Sequence, residues 1–509
     1  MRFNSLLITA GLAIGLAHPS FADVKPAALF VDNMVLQQGI KDPVWGTADA
    51  GEKVTVSIGD QKQTVDTAAD GKWKVVLEPL KAGGPLEMTI AGNNTITVKN
   101  VAVGEVWVCS GQSNMEFRVN GTMNAKDEIA AADYPMIRSF TVRNRVAADP
   151  QADTTGKWDV CTPQTVGGFT AVGYFFAREL NKKLGIPVGL IHSSWGGTPA
   201  ESWTSRPAFE GDKVLAPILA AAQKRADDYP AALQRYKDVT LVNWQAAVDK
   251  AKADGTALPR KPREPAGGPN DPNIPAVLFN GMINPIIPFG IKGALWYQGE
   301  SNAGQAILYR RLFATMIKDW RARWGEGDFP FFFVQLANFM KVQERPSEGG
   351  WAEIRESQML TLALPHTGMA VINDIGDADN IHPKNKQEVG RRLALIALAT
   401  EYGQPGEYSG PLYDSMTVDG NKIRLKFTHV GGGLVVKGDK LGGFAIAGAD
   451  KKFVWADAQI DGDTVVVSSD QVPAPVAVHY AWANNPVVSL YNKEGLPASS
   501  FRSDVPPGP

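Results

Sequence analysis

VWVCSGQSNMEF, residues 106–117, passes in one step from an apolar run to a cluster of small polar residues. That change reads as a buried strand ending abruptly in a turn. Four later runs have the same apolar character, at 187–191, 292–296, 331–334 and 369–372. Between them lie helix-period patterns. Residues 171–184 put Phe175, Phe176 and Leu180 near one face, 309–324 do so with Phe313, Ile317, Trp320 and Trp324, and 389–400 form a further helix. Strands alternating with helices predict an α/β domain, a parallel sheet covered on both faces.

The flanks follow another rule. Lys53-Val54-Thr55-Val56-Ser57-Ile58 and Leu86-Glu87-Met88-Thr89-Ile90 alternate with period two, and turn residues separate such runs as in a small β-sandwich. Period-two segments return after about 405, at 422–427, 433–436 and 464–467. The expected organisation is therefore a β module over 23–100, a catalytic α/β domain over 101–404 and a second β module over 405–509. Within the middle domain, 212–260 is rich in Ala, Lys, Asp and Gln, and a Pro/Gly-rich loop follows, so a helical insertion is expected over about 212–275. Residues 1–22 carry one positive charge, a short apolar stretch and Ser20-Phe21-Ala22, the pattern of a cleaved secretory signal. The mature chain is expected to be exported, periplasmic or extracellular, with no membrane span.

With 51 basic and 53 acidic side chains the net charge is -2, which argues against a nucleic-acid surface. No H-E-x-x-H, P-loop or G-x-G-x-x-G signature occurs, so neither a cofactor nor a metal is expected. The two cysteines, Cys109 and Cys161, either form a disulfide in an oxidising compartment or remain buried thiols.

In open parallel sheets ligands bind beyond the carboxyl ends of the strands. The segments in those places are Ser110-Gly111-Gln112-Ser113-Asn114, His192-Ser193-Ser194-Trp195-Gly196-Gly197-Thr198, Tyr297-Gln298-Gly299-Glu300-Ser301-Asn302, and the loop from Asn373 to Pro383 with Asp379 and His382. Together they supply what acyl transfer requires. A serine hydroxyl must lose its proton to a base, commonly a histidine oriented by a carboxylate. Asp379 and His382 could present that pair from one loop to Ser113. Backbone N–H groups of Ser113 and Gly196 and the Gln298 amide could hold the oxyanion. Met115 stands where a G-x-S-x-G elbow needs its second glycine, which disfavours an α/β-hydrolase. Taken singly, each feature has an ordinary structural reading: a polar turn, a loop histidine, a solvated acidic rim, or, for His192, a satisfied core histidine.

Four runs also resemble the signature blocks of a known family: GQSNME at 111–116, SWGGT at 194–198, WYQGESN at 296–302 and DNIHP at 379–383. They are similar to those of the sialate O-acetylesterase family, within the SGNH-hydrolase superfamily of carbohydrate esterases. The resemblance extends to DNMVLQQ at 32–38 and NKEGLP at 492–497. It implies a flavodoxin-like α/β/α catalytic domain with Ser113 as nucleophile, His382 as base and Asp379 as its partner. It leaves open whether Gly196 or Gly197, and Gln298 or Asn302, complete the oxyanion hole. Gln112, Asn114, Glu300 and Trp195 are the candidate substrate contacts; Trp195, Trp203 and Trp351 could stack on a sugar or could equally be core. The implied substrate is an O-acetylated sugar, either 9-O-acetyl sialic acid or an acetylated plant polysaccharide such as xylan or xyloglucan. The rival expectation is a non-catalytic glycan-binding protein with a degenerate hydrolase core.

Overall fold

A computed structural model describes residues 23–504, so the expected leader lies outside the described residues. The apolar run that leads to Ser113 forms the last part of β1 (Thr95–Gly111), whose second half is buried throughout. Around it the central sheet gathers β2 (Tyr134–Thr141), β3 (Trp158–Cys161), β4 (Val188–Ser194), β5 (Gly293–Tyr297), β6 (Phe331–Val334) and β7 (Thr367–Ala370). Their spatial order is β3-β2-β4-β1-β5-β6-β7. All neighbours pair in parallel except β3, which runs antiparallel along β2 at the edge.

The five apolar runs of the sequence thus become β4-β1-β5-β6-β7, in chain order second, first, third, fourth, fifth. Each of the four later strands is buried at all or all but one of its positions, which is why it reads as a continuous apolar run rather than an alternation. Helices fill the crossovers: α1 (Ser113–Glu116), α2 (Ala171–Leu184), α3 (Ala306–Trp324), α4 (Gly350–Leu360) and α5 (Lys386–Thr400). Helix α2 packs on α5, and α3 on α4. Among the described residues no helix is long and apolar enough to cross a membrane.

The first half of β1 belongs to the N-terminal β module. It pairs antiparallel with Gly83–Ala91 and parallel with Val35–Gln37 before entering the central sheet. The expected boundary at residue 100 therefore falls inside one continuous strand. Between α1 and α3 the chain adds two helices, Ala216–Arg235 and Leu241–Ala253, joined by a π-helical turn. The C-terminal strands have their own core, with Ile423, Leu425, Phe444, Val465, Val467, Tyr480 and Phe501. Arg355 of α4 ties these strands to the segment after β6. Its fully buried guanidinium donates to the carbonyls of Leu336, Ala337, Ala483 and Asn484 at 2.8–3.0 Å.

The disulfide reading is corrected by the sheet order. Cys109 lies on β1 and Cys161 on β3, with β4 and β2 between them. Three interstrand steps of about 4.8 Å place the two well beyond the roughly 7 Å Cα separation a disulfide tolerates. Both are buried free thiols, and burial pushes the Cys161 thiol up to about 12 and the Cys109 thiol higher still.

Candidate active site

Parallel strands carry their carboxyl ends to one edge, and the polar segments collect there. At the end of β1, Gly111 has φ +134°, and a Cβ there would sit 2.2 Å from the Tyr297 carbonyl oxygen. Only glycine lets the chain leave the sheet this close to β5. Ser113 follows as the first residue of α1, whose turn is held by N–H bonds from Met115 and Glu116 to the Gln112 carbonyl. Thr170 Oγ donates to the Met115 carbonyl at 2.6 Å and buttresses the same turn.

Ser113 Oγ lies 2.7 Å from His382 Nε2, although the two are 269 residues apart in the chain. His382 sits on the loop between β7 and α5, where its own N–H donates to Asn380 Oδ1 at 2.9 Å. Burial, and then the positive charge of Lys386, hold its imidazole below the usual histidine range. The geometry therefore pairs a hydroxyl with an imidazole held toward its basic form, as nucleophile activation requires.

Asp379 is not joined to this pair. Its side chain is exposed and bonds neither ring nitrogen of His382, and its N–H donates to Asp377 Oδ1 at 2.9 Å. Gly196, by contrast, lies against Ser113: a Cβ on it would be 3.2 Å from Ser113 Cβ. Its N–H donates to Glu116 Oε2 at 2.7 Å, so a carboxylate occupies that donor here. Gly197 is exposed, with φ +78° and no atom within 4 Å of a Cβ position.

The two candidate amides point elsewhere. Asn302 Oδ1 accepts from the Ala200 N–H at 3.0 Å, which fixes that atom as the acceptor. Gln298 Nε2 must then face it, at 2.7 Å, while Asn302 Nδ2 donates to Glu201 Oε2 at 2.9 Å. Both side chains are buried in a network that ties the SWGGT and WYQGESN loops together.

The candidate substrate contacts also have internal partners. Gln112 Oε1 accepts from the Ser301 N–H at 3.2 Å. Asn114 Nδ2 donates to Glu300 Oε1 at 2.6 Å and to the Ile381 carbonyl at 3.0 Å, and Asn114 Oδ1 accepts from Lys386 Nζ at 2.6 Å. Burial raises the Glu300 carboxyl above its ordinary range. Trp195 is half-buried, whereas Trp203 and Trp351 are buried and packed in the core, the second of their two expected readings. His192 is buried in the core as expected, but only in part satisfied: Nε2 lies 2.6 Å from Ser194 Oγ while Nδ1 has no hydrogen-bond partner, and burial depresses the imidazole to about 4. Among the described residues no group of three or more His, Cys, Asp or Glu side chains converges as a metal site would.

Sequence reasoning missed Glu116 and Lys386. Glu116 closes the GQSNME block but carried no role, and nothing in the pattern around Lys386 distinguishes a buried lysine from a surface one.

Residues 103–238 and 278–399 match the profile of a family described as carbohydrate esterase, sialic acid-specific acetylesterase. The chain is 32% identical over 539 aligned residues to a sialate O-acetylesterase of Rattus norvegicus, covering 94% of each. It is 30% identical to that of Homo sapiens, covering 97% of each. A carbohydrate acetylesterase from Xanthomonas citri has a crystal structure that superposes with a TM-score of 0.80 at 38% identity, covering 95% of this chain and all of the other.

Proposed function

This chain belongs to the sialic acid-specific acetylesterase family of carbohydrate esterases, and we propose that it removes acetyl groups from sugar hydroxyls through an acetyl-enzyme on Ser113. The observation that carries the reading is the 2.7 Å contact of His382 Nε2 with Ser113 Oγ. In the first half-reaction Ser113 Oγ bonds to the acetyl carbonyl carbon while its proton passes to His382 Nε2. The tetrahedral oxyanion is met by the N–H groups of Ser113 and Gly196. The Ser113 N–H lies at the first position of a helix and has no intrahelical partner. The Gly196 N–H becomes available when Glu116 swings off it. Collapse breaks the carbon–oxygen bond to the sugar, whose oxygen takes the proton from His382. Water then attacks the acetyl-enzyme, gives a proton to His382 and releases acetate, and the proton returns to Ser113.

Asp379 is assigned as the partner of His382 on the understanding that its loop closes with substrate bound. Catalytic hydrogen bonds are often loose in free enzymes and tighten only in the complex. Gln298 and Asn302 serve by holding two site loops in register rather than by meeting the oxyanion. The strand order second-first-third-fourth-fifth is that of flavodoxin-like sheets, which supports the SGNH assignment. An exported mature chain beginning near Asp23 would meet its acetylated glycan outside the cytoplasm.

The test is acetate release from 9-O-acetyl sialic acid, acetylated xylan and acetylated xyloglucan, by the wild type and by Ser113→Ala. Release by the wild type and loss in the variant are expected. Undiminished release by Ser113→Ala would overturn the nucleophile assignment, and the preferred glycan identifies the substrate.

A further inference from the structure

Lys386 is completely buried, although it is the first residue of α5. That is a costly place for a cation, because burial strips its hydration and the helix N-terminus is the positive end of the macrodipole. Its Nζ donates to Asn114 Oδ1 at 2.6 Å and lies 5.1 Å from the ring centroids of Phe117 and Tyr297. The amide of Asn114 then faces two ways from its nitrogen, to Glu300 Oε1 and to the Ile381 carbonyl. Glu300 Oε2 is buried with no hydrogen-bond partner. One amide beside the nucleophile thus joins a buried cation, a buried carboxyl and the backbone immediately before His382.

We propose that Lys386 is a positioning residue that locks the Ser113 turn to the His382 loop through Asn114, and that its positive charge disfavours a proton on His382. The proposal rests on the Ser113–His382 reading given above. The ionisable groups around Lys386 are few. Glu300 and Tyr297 come from β5 and the segment after it, and His382 from its own loop. Farther along α5, Glu388 pairs with both Arg391 and Arg392, and Arg392 also with Asp374 of the loop after β7. Burial brings the Lys386 ammonium down to about 7, with Glu300 opposing. The charge is therefore present below neutrality, where an imidazole titrates. It is absent in alkali, where His382 is already a free base.

The experiment measures kcat/KM for 4-nitrophenyl acetate from pH 4.5 to 9 with wild type, Lys386→Met and Asn114→Asp. The rate of fluorophosphonate labelling of Ser113 is followed over the same range. Removing the cation in Lys386→Met should move the acid limb toward neutrality, so that the ratio of activity at pH 5 to that at pH 8 falls roughly tenfold. Asn114→Asp sets a carboxylate against the ammonium and should move the limb the same way in a side chain of equal size. A loss that is uniform across pH in either folded variant would overturn the proposal and leave Lys386 a packing residue. Should Lys386→Met fail to fold, Asn114→Asp decides. Activity or labelling that survives Ser113→Ala would instead sink the underlying reading, whatever the two profiles show.

Discussion

Replacing Gly196 by alanine tests the oxyanion assignment at the atom that matters. The added methyl would stand 3.0 Å from Glu116 Oε2, 3.2 Å from Ser113 Cβ and 3.6 Å from Ser113 Cα. Carbon atoms rest comfortably at about 3.5–4.0 Å, so something must give by a few tenths of an ångström. Glu116 can yield, because its contact is made by the end of a half-exposed side chain. Ser113 cannot yield without shifting the turn that aims Oγ at His382. The Gly196 backbone is not in the left-handed region, so alanine is tolerated there conformationally. The substitution should leave thermal stability nearly unchanged and lower kcat by about 10²-fold, the low end of what losing one oxyanion donor costs. Gly197→Ala is the control. Its φ of +78° should cost about 1–2 kcal/mol of stability, while the open space around it leaves kcat within a few-fold of wild type. Stopped-flow measurement of the acylation burst with 4-nitrophenyl acetate, beside thermal unfolding, reads both effects. If Gly196→Ala acylates normally and Gly197→Ala does not, the donor is the Gly197 N–H and the reasoning from proximity to Ser113 fails.

Three further outcomes are expected. Arg355→Met should destabilise the fold by about 3–5 kcal/mol in urea unfolding, since it strands four carbonyls that the guanidinium satisfies between the catalytic domain and the C-terminal module; a change under 1 kcal/mol would show that water replaces it freely. Asp42 is almost fully buried, and burial raises its carboxyl from 3.8 to about 8. The folded state therefore keeps a proton that the unfolded state releases, and the stability this contributes below pH 4 is lost as pH rises through 8, by several kcal/mol over the whole range. Asp42→Asn should flatten the fall in stability between pH 6 and 8.5, and an unaltered slope would remove Asp42 as its source. Asp379→Asn should reduce kcat about 10²-fold or more if this carboxylate orients His382 in the bound state; a rate within threefold of wild type would release Asp379 from that role.

The parallel strands were legible because a strand buried on both faces must be apolar at nearly every position, a signal that needs no partner to be read. The two strands at the β3 end of the sheet, β2 and β3, were not. Arg138 and Ser139 interrupt the apolar character of β2, and Arg138 is tolerated because its guanidinium reaches the Met34 carbonyl and Asn100 across the fold. Ser113 and His382 were legible as polar residues following strands, since a shared sheet edge turns distant loops into neighbours. The remaining organisation of the site was hidden for a related reason. Whether Gln298 faces a substrate or Asn302 depends on which atom the Ala200 N–H has already claimed, and hydrogen-bond satisfaction is a property of the assembled loops rather than of any one segment. Lys386 is the extreme case. A lysine four residues after a histidine at the start of a helix is usually solvated, and only the closure of α1, β5 and α5 around it removes the water. The cost of that burial falls on the fold, while its effect falls on His382, so stability and chemistry meet in a residue that no local pattern marks.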